Sequence, residues 1–306
     1  MPLVEAAQAP MLRPLGVGDV LDRTFTVYRS KPLVFIGLSA IWYLLLVLVF
    51  IVLAVGVFAG ALAAFARQAT TPSPDQIAGA VAGILGFVFI AVIVAILAFS
   101  AQSASLVYAA ARRYLAKDVA IGESFRAGLS AAGRLFLAGV LVFLAIVGVW
   151  AVLIIVAALT NQALAFVLAV LAGIVATAYL GCSWLVAPVV VVVEKMGPVS
   201  ALGRAWRLSA GHRWRIFGIQ ILLFILNLVL SLLIGGLFGG VTAASGQTGT
   251  PGQFGVTSVV QTVVNLASTI IWAPVEWIAF TVLYYDLRVR KEAFDLQLAA
   301  EALPQS

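Results

Sequence analysis

"LVFIGLSAIWYLLLVLVFIVLAVGVFAGALAAFA", Leu33 to Ala66, contains no Asp, Glu, Lys or Arg. A helix needs about 20 apolar residues to cross the hydrocarbon of a bilayer. This run is longer, and five others follow at Ile77–Ala111, Leu135–Leu159, Ala163–Val193, Ile216–Ala244 and Val256–Tyr285. Apart from Glu276, no charged residue lies inside any of the six. Several are long enough to cross at a tilt or to continue past the hydrocarbon.

Composition agrees with this reading. Hydrophobic residues make up 63% of the 306-residue chain and charged residues 10%. A soluble domain carries roughly 25% charge, so this chain has too few charges to cover a globule in water. The fold class expected is an all-α integral membrane protein with six transmembrane helices. The net charge of +6 does not point to nucleic acid, because the basic residues sit in short loops between apolar blocks. Their natural partners are anionic headgroups. The single cysteine, Cys182, cannot form an intramolecular disulfide. The opening "MPLVEAAQAPML" has no basic n-region, which argues against a cleaved signal. Heavy use of Arg, Ala, Val and Gly suits a bacterial chain from a GC-rich genome.

The breaks carry turn chemistry: "TTPSPDQ" after the first block, "TNQ" after the third and "SGQTGTPGQ" after the fifth. The blocks flanking "TNQ" would together make a helix of about 90 Å at 1.5 Å per residue. No bilayer is that thick, so they are two antiparallel spans. Of the 18 lysines and arginines, only Arg67 lies in a break on one side; all others lie in the opposite breaks or the ends. The positive-inside rule puts both termini in the cytoplasm. The chain divides into a cytoplasmic N-terminal segment (1–32), the six-span domain (33–286) and a cytoplasmic tail (287–306).

Three cytoplasmic segments resemble one another: "GDVLDRTFTVYRSKPLVFIG", "GESFRAGLSAAGRLFLAG" and "VSALGRAWRLSAGHRWRIFG". Each has an arginine (Arg23, Arg126, Arg204) and a basic residue eight or nine positions later (Lys31, Arg134, Arg213). Apolar residues fall at helical spacing, as in Leu21, Phe25 and Tyr28. We expect three short amphipathic helices, each leading into a helical hairpin, with apolar faces in the acyl boundary. Arg23, Arg126, Arg134, Arg204, Arg207 and Arg213 are then candidate headgroup contacts. The alternative is that these helices pack on the underside of the bundle.

The stretches "GDVLDRTFTVYRS", "ALGRAWRLSAGHRWRIFG" and "LYYDLRVRKEAFDLQL", in this order, resemble the membrane domain of the glycerophosphoryl diester phosphodiesterase family. In that family the membrane region can be fused to a soluble catalytic barrel with a His-Arg-Gly motif, a second histidine and metal-binding carboxylates. Here the only histidine is His212, in "SAGHRWR", and no His-Arg-Gly occurs. The resemblance therefore implies a membrane fold and no hydrolase. No cofactor or metal is expected, since no His or Cys accompanies His212 at ligand spacing.

The sixth block raises the functional question. In "IIWAPVEWIAF", Ile270 to Phe280, Glu276 sits about 15 Å of helix from the charged exit at Asp286. A carboxyl in hydrocarbon without a basic partner favours its neutral, hydrogen-bond-donating form. Gln261, Asn265, Ser268 or Thr269, Trp272 and Glu276 recur at helical spacing and form one polar stripe. Gln220, Asn227 and Ser231 form a matching stripe on the fifth block. Three readings stay open: hydrogen bonding between the helices, a substrate or proton site, and a headgroup contact. Trp184 before Pro188 echoes Trp272 before Pro274, which suits a kink in each helix. Glycine pairs (Gly56 and Gly60, Gly79 and Gly83, Gly235 and Gly239, Gly236 and Gly240) suggest close helix packing.

The leading expectation is a non-enzymatic membrane module that organises lipid or a membrane-protein partner through its basic inner face. The alternative is a small-solute or proton-coupled transporter using the sixth block. An enzyme would need a cytoplasmic polar cluster, and Asp286, Glu292 and Asp295 beside Arg288 and Arg290 read better as ion pairs along a helix.

Overall fold

A computed structural model describes residues 14–66, 73–244, 256–294 and 296–297. Among them the structure is all-α, without a strand. The elements are α1 (Val17–Ser30), α2 (Pro32–Ala66), α3 (Pro74–Tyr114), α4 (Ile121–Thr160), α5 (Ala163–Trp184), α6 (Ala187–Val193), α7 (Pro198–Ser209), α8 (Arg213–Ala244) and α9 (Val256–Glu292). Six stretches are long and apolar enough to cross a membrane, with α5 and α6 together making the fourth. In each of the pairs α2 and α3, α4 and α5, and α8 and α9, the two helices pack against each other.

Local chemistry explains the boundaries. The Asp19 carboxylate accepts from the Gly16 N–H (2.8 Å) and caps the start of α1. Pro32 opens α2, where its missing N–H costs nothing, and it cannot extend α1. Asn161 ends α4 in the left-handed region at φ 51°. Its N–H returns to the Ala158 carbonyl (3.2 Å), so a two-residue turn suffices before α5. Gly211, at φ +81°, separates α7 from α8. Between Trp184 and Ala187 the fourth span breaks, with Pro188 in the first turn of α6.

The three repeated segments do not fold alike. Two form separate helices, α1 and α7, but the middle one does not. Residues from Ile121 onward belong to α4, a single helix of 40 residues that runs into the third span. The first segment is interrupted at Lys31-Pro32 and the third at Gly211, which takes φ +81°; the middle one has no proline, and its Gly128 and Gly133 stay helical.

The amphipathic faces also turn inward. Val20, Thr24 and Val27 of α1, and Ala201, Ala205 and Leu208 of α7, are buried against protein. Helix α1 packs mainly on α9, and α7 on α4, α5 and α6. Leu21, Phe25 and Tyr28 are half-buried and Val199 is 72% exposed, so these helices pack on the bundle while part of their apolar faces stays open.

Buried residues concentrate where the basic loops are: Phe35 and Leu38 of α2, Ala104 to Ala111 of α3, Val186 to Val192, and Ile278 to Leu287 of α9. The other halves of the spans expose Leu, Ile, Val and Phe almost all round, as suits helices meeting acyl chains. Helix α9 is the hub, in contact with α1, α2, α3, α6, α7 and α8, and its burial is greatest from Ala273 to Val289. It is also the least apolar span. A helix shielded from lipid by neighbours can carry Asn, Ser, Thr and Glu.

Of the expected glycine pairs, Gly60, Gly239 and Gly240 lie outside the residues whose surroundings are described. Among the described residues, a methyl added at Gly56, Gly79, Gly83, Gly235 or Gly236 would meet nothing within 4 Å. At Gly128 it would lie 2.5 Å from the Ala101 carbonyl, and at Gly173 it would lie 2.8 Å from the Trp150 ring. Those positions hold α4 against α3 and against α5.

Candidate functional site

Helices α8 and α9 flank a cavity of about 530 Å³. From α8 it is lined by Gln220, Asn227 and Ser231; from α9 by Asn265, Ser268, Thr269, Trp272 and Glu276. Leu223, Phe224, Leu230, Ile234 and Phe280 supply apolar surface. Of the five residues expected to form an intramembrane polar site, Asn227, Asn265, Trp272 and Glu276 line this space. Gln261 stands one turn further out, and its amide donates to Asn265 Oδ1 (3.1 Å).

The two stripes face each other across the space without bonding to each other. Ser268 and Thr269 turn their hydroxyls back to the Val264 and Asn265 carbonyls (2.8 Å each). The nearest approach from α5 is Cys182 Sγ, 4.0 Å from Gln220 Oε1. Among the described residues no hydrogen bond reaches the Glu276 carboxyl. The bond between helices expected of Glu276 is therefore not made. Polar groups at membrane depth need partners, and here the space between the helices has to supply them.

The sequence reading missed a second polar patch behind the cavity. Ser100, Gln102, Ser103 and Ser105 of α3 are all buried. The indole N–H of Trp42 donates to Ser105 Oγ (3.1 Å). Gln102 is 4% exposed, and its Nε2 has no hydrogen-bond partner. Ser39 Oγ, also buried, is unpartnered. The signal was present in "FSAQSASLVY", but serines among alanines read as small packing residues.

The candidate headgroup arginines divide into two groups. Arg204 lies between Glu194 (3.1 Å) and Glu292. Hydrogen bonding to Glu292, chiefly, raises its already high pKa. Tyr284 donates to Glu194 (2.6 Å), and Arg288 pairs with Glu292 (3.1 Å), so this cluster joins α6, α7 and α9. Arg213 donates to Ser183 Oγ (2.8 Å) and the Tyr179 hydroxyl (2.7 Å), and stacks 4.6 Å from the Trp206 ring centre. Arg134 donates to the Lys195 carbonyl (2.7 Å). These three are engaged within the protein. Arg126 and Arg207 are exposed, as is Arg23, which lies 5.9 Å from the Tyr114 ring centre.

A second ionic clamp lies at Asp286, 1% exposed. It pairs with Arg215 and Arg290 and accepts from the Leu15 N–H (2.7 Å). Both arginines donate to the Leu15 carbonyl (2.6 Å each). The segment before α1 is thus fastened to the end of α9. The charged residues after the sixth span pair along the helix as expected, and also across to α7 and α8; Asp295 lies outside the described residues. His212 is half-buried with Nδ1 unpartnered. Among the described residues no three His, Cys, Asp or Glu side chains gather as metal ligands.

Compared with known proteins, the chain matches no family model, no curated protein and no solved structure.

Proposed function

We propose that this multi-pass membrane protein is a non-enzymatic binding protein of the bacterial plasma membrane, with both termini cytoplasmic. Its α8–α9 cavity holds a small polar ligand, as a small-solute or proton-coupled transporter requires. The observation that carries this reading is the unfilled space between two polar stripes at membrane depth. Its volume falls in the range of about 300–1,000 Å³ usual for small-molecule sites. The leading expectation is a module that organises lipid or a membrane-protein partner, and its lipid half is the one that the inner-face arginines bear on. That half is weakened because Arg134, Arg204 and Arg213 spend their donors inside the protein.

A lipid-facing role for the inner surface keeps some support. Arg126 and Arg207 are exposed, and so is Trp214 (86%) at the start of α8, a residue type suited to interfacial anchoring. The likeness to the glycerophosphoryl diester phosphodiesterase membrane domain fits such a membrane module, since no catalytic motif accompanies it.

Water access to the cavity tests the main reading. In a Cys182→Ser background, Ser231→Cys and Asn265→Cys should react with a charged methanethiosulfonate reagent. Leu232→Cys, on the lipid-facing side and 64% exposed, should not. Equal inertness of all three variants would show a dry seam and remove the binding site.

A further inference from the structure

The cavity is electrically one-sided. Its lining holds one carboxylate, Glu276, and no Lys, Arg or His. The basic residues toward the inner ends of α8 and α9 are engaged outside the lining: Arg215 and Arg290 on Asp286, Arg288 on Glu292, Arg213 on Ser183 and Tyr179, and Lys291 on the Arg207 carbonyl. Trp272 and Phe280 stand one turn on either side of Glu276 on the same face of α9, and Phe224 lines the cavity from α8. An organic cation would supply the basic partner that Glu276 lacks and so hold it ionised, its proton passing to water, and the aromatic rings in the same lining add the attraction of their quadrupoles. A phosphate or carboxylate ligand would meet Glu276 with no positive partner in compensation. A hard metal ion would want several oxygen ligands at close range, and the lining offers a single carboxylate among amides, hydroxyls and rings.

We propose that the cavity takes a ligand bearing a single ammonium group, whose positive charge sits against Glu276 between Trp272 and Phe280. Asn227, Asn265 and Ser231 hydrogen-bond the neutral polar part of the ligand. This rests on the cavity being a ligand site. A free small amine and the headgroup of an aminolipid entering between α8 and α9 supply the same chemistry. The assignment runs against a glycerophosphate ligand.

The test uses the full chain in nanodiscs of phosphatidylglycerol alone, with radiolabelled choline and ethanolamine as probes. Saturable binding of either is expected, at least tenfold weaker in Glu276→Gln and weakened in Trp272→Leu, with glycerol and glycerol phosphate failing to compete. Trp272→Leu keeps the test decisive if Glu276→Gln does not fold. In discs containing phosphatidylethanolamine, native mass spectrometry reports the source. Retention of that lipid, lost in Glu276→Gln, identifies the headgroup; its absence beside choline binding identifies a free amine.

Competition by glycerol phosphate overturns the assignment, as does choline binding unchanged in Glu276→Gln. So does failure of both amines and the aminolipid to bind. Under that last result, a reactive Ser231→Cys shows that the hydrated cavity stands and only the ammonium assignment has failed. An unreactive one shows that both have failed.

Discussion

Gly128 illustrates how one atom decides packing at the residue scale. Its missing Cβ lets α4 approach α3 until the Ala101 carbonyl lies 2.5 Å from where a methyl would be. Gly128→Ala should therefore cost about 1–3 kcal/mol through overpacking against a rigid backbone. Gly79→Ala should be neutral or stabilising by up to about 1 kcal/mol, since nothing stands near it and alanine favours helix. Thermal unfolding of both variants in one lipid environment checks the contrast, and equal losses would sink it. Spacing in the sequence singled out Gly79 and passed over Gly128, because small-residue periodicity does not say which face has a neighbour. Glu276 was easier to read: one acid in six apolar blocks is conspicuous, and helical spacing placed Asn265 and Trp272 beside it. Gln102 was missed for the opposite reason, since a single amide among serines and alanines carries little contrast. That α8 and α9 stand apart at their polar faces, leaving a cavity, depends on the crossing of two helices, which periodicity does not record.

Among the elements, α7 shows how a short helix is held beneath a membrane bundle. It fully buries Ala201, Ala205, Leu208 and Ser209, and packs Leu202 and Trp206 half-buried, the latter against Tyr179 and Trp184. The Arg204 cluster adds an ionic contribution to this apolar docking. Arg204→Ala leaves Glu194 and Glu292 facing each other, each less than a quarter exposed. Loss of a partner in a largely buried pair costs about 3 kcal/mol. Amide exchange within α7 should then accelerate well before that of α3 or α9; unchanged protection would show that apolar contact alone holds it. Asp286→Asn should act on a different element. It removes the charge that balances Arg215 and Arg290 and weakens the bond to the Leu15 N–H. Limited proteolysis should cut before α1 faster in this variant while leaving α7 protected. The repeated segments themselves were legible from their arginine spacing. Their different fates were not legible, because glycine occurs in the middle and last copies alike and only Gly211 takes a left-handed backbone.

Across the whole molecule, packing and charge are both polarised along one axis. The buried side chains and the ionic clamps lie at the end of the bundle with the basic loops, while the far halves of the spans expose apolar faces. Hydrocarbon solvates those faces, so the far end needs no dense core. The fold class was legible because bilayer thickness sets a length that soluble helices rarely reach in unbroken apolar form. The central position of α9 could also have been inferred, since it is the span with least need of lipid. The proposed orientation rests on the same polarity: an arginine-rich end suits the cytoplasmic side, where anionic lipid attracts it and translocation of its charges is avoided. With Cys182→Ser as background, Gln162→Cys in the α4–α5 turn should label from outside intact cells with an impermeant maleimide. Lys117→Cys, in the exposed loop between α3 and α4, should label only after the membrane is opened. The reverse pattern would place the packed, basic end outside. The α8–α9 cavity would then have to load from the opposite face, and the exposed Arg126 and Arg207 would meet an outer leaflet.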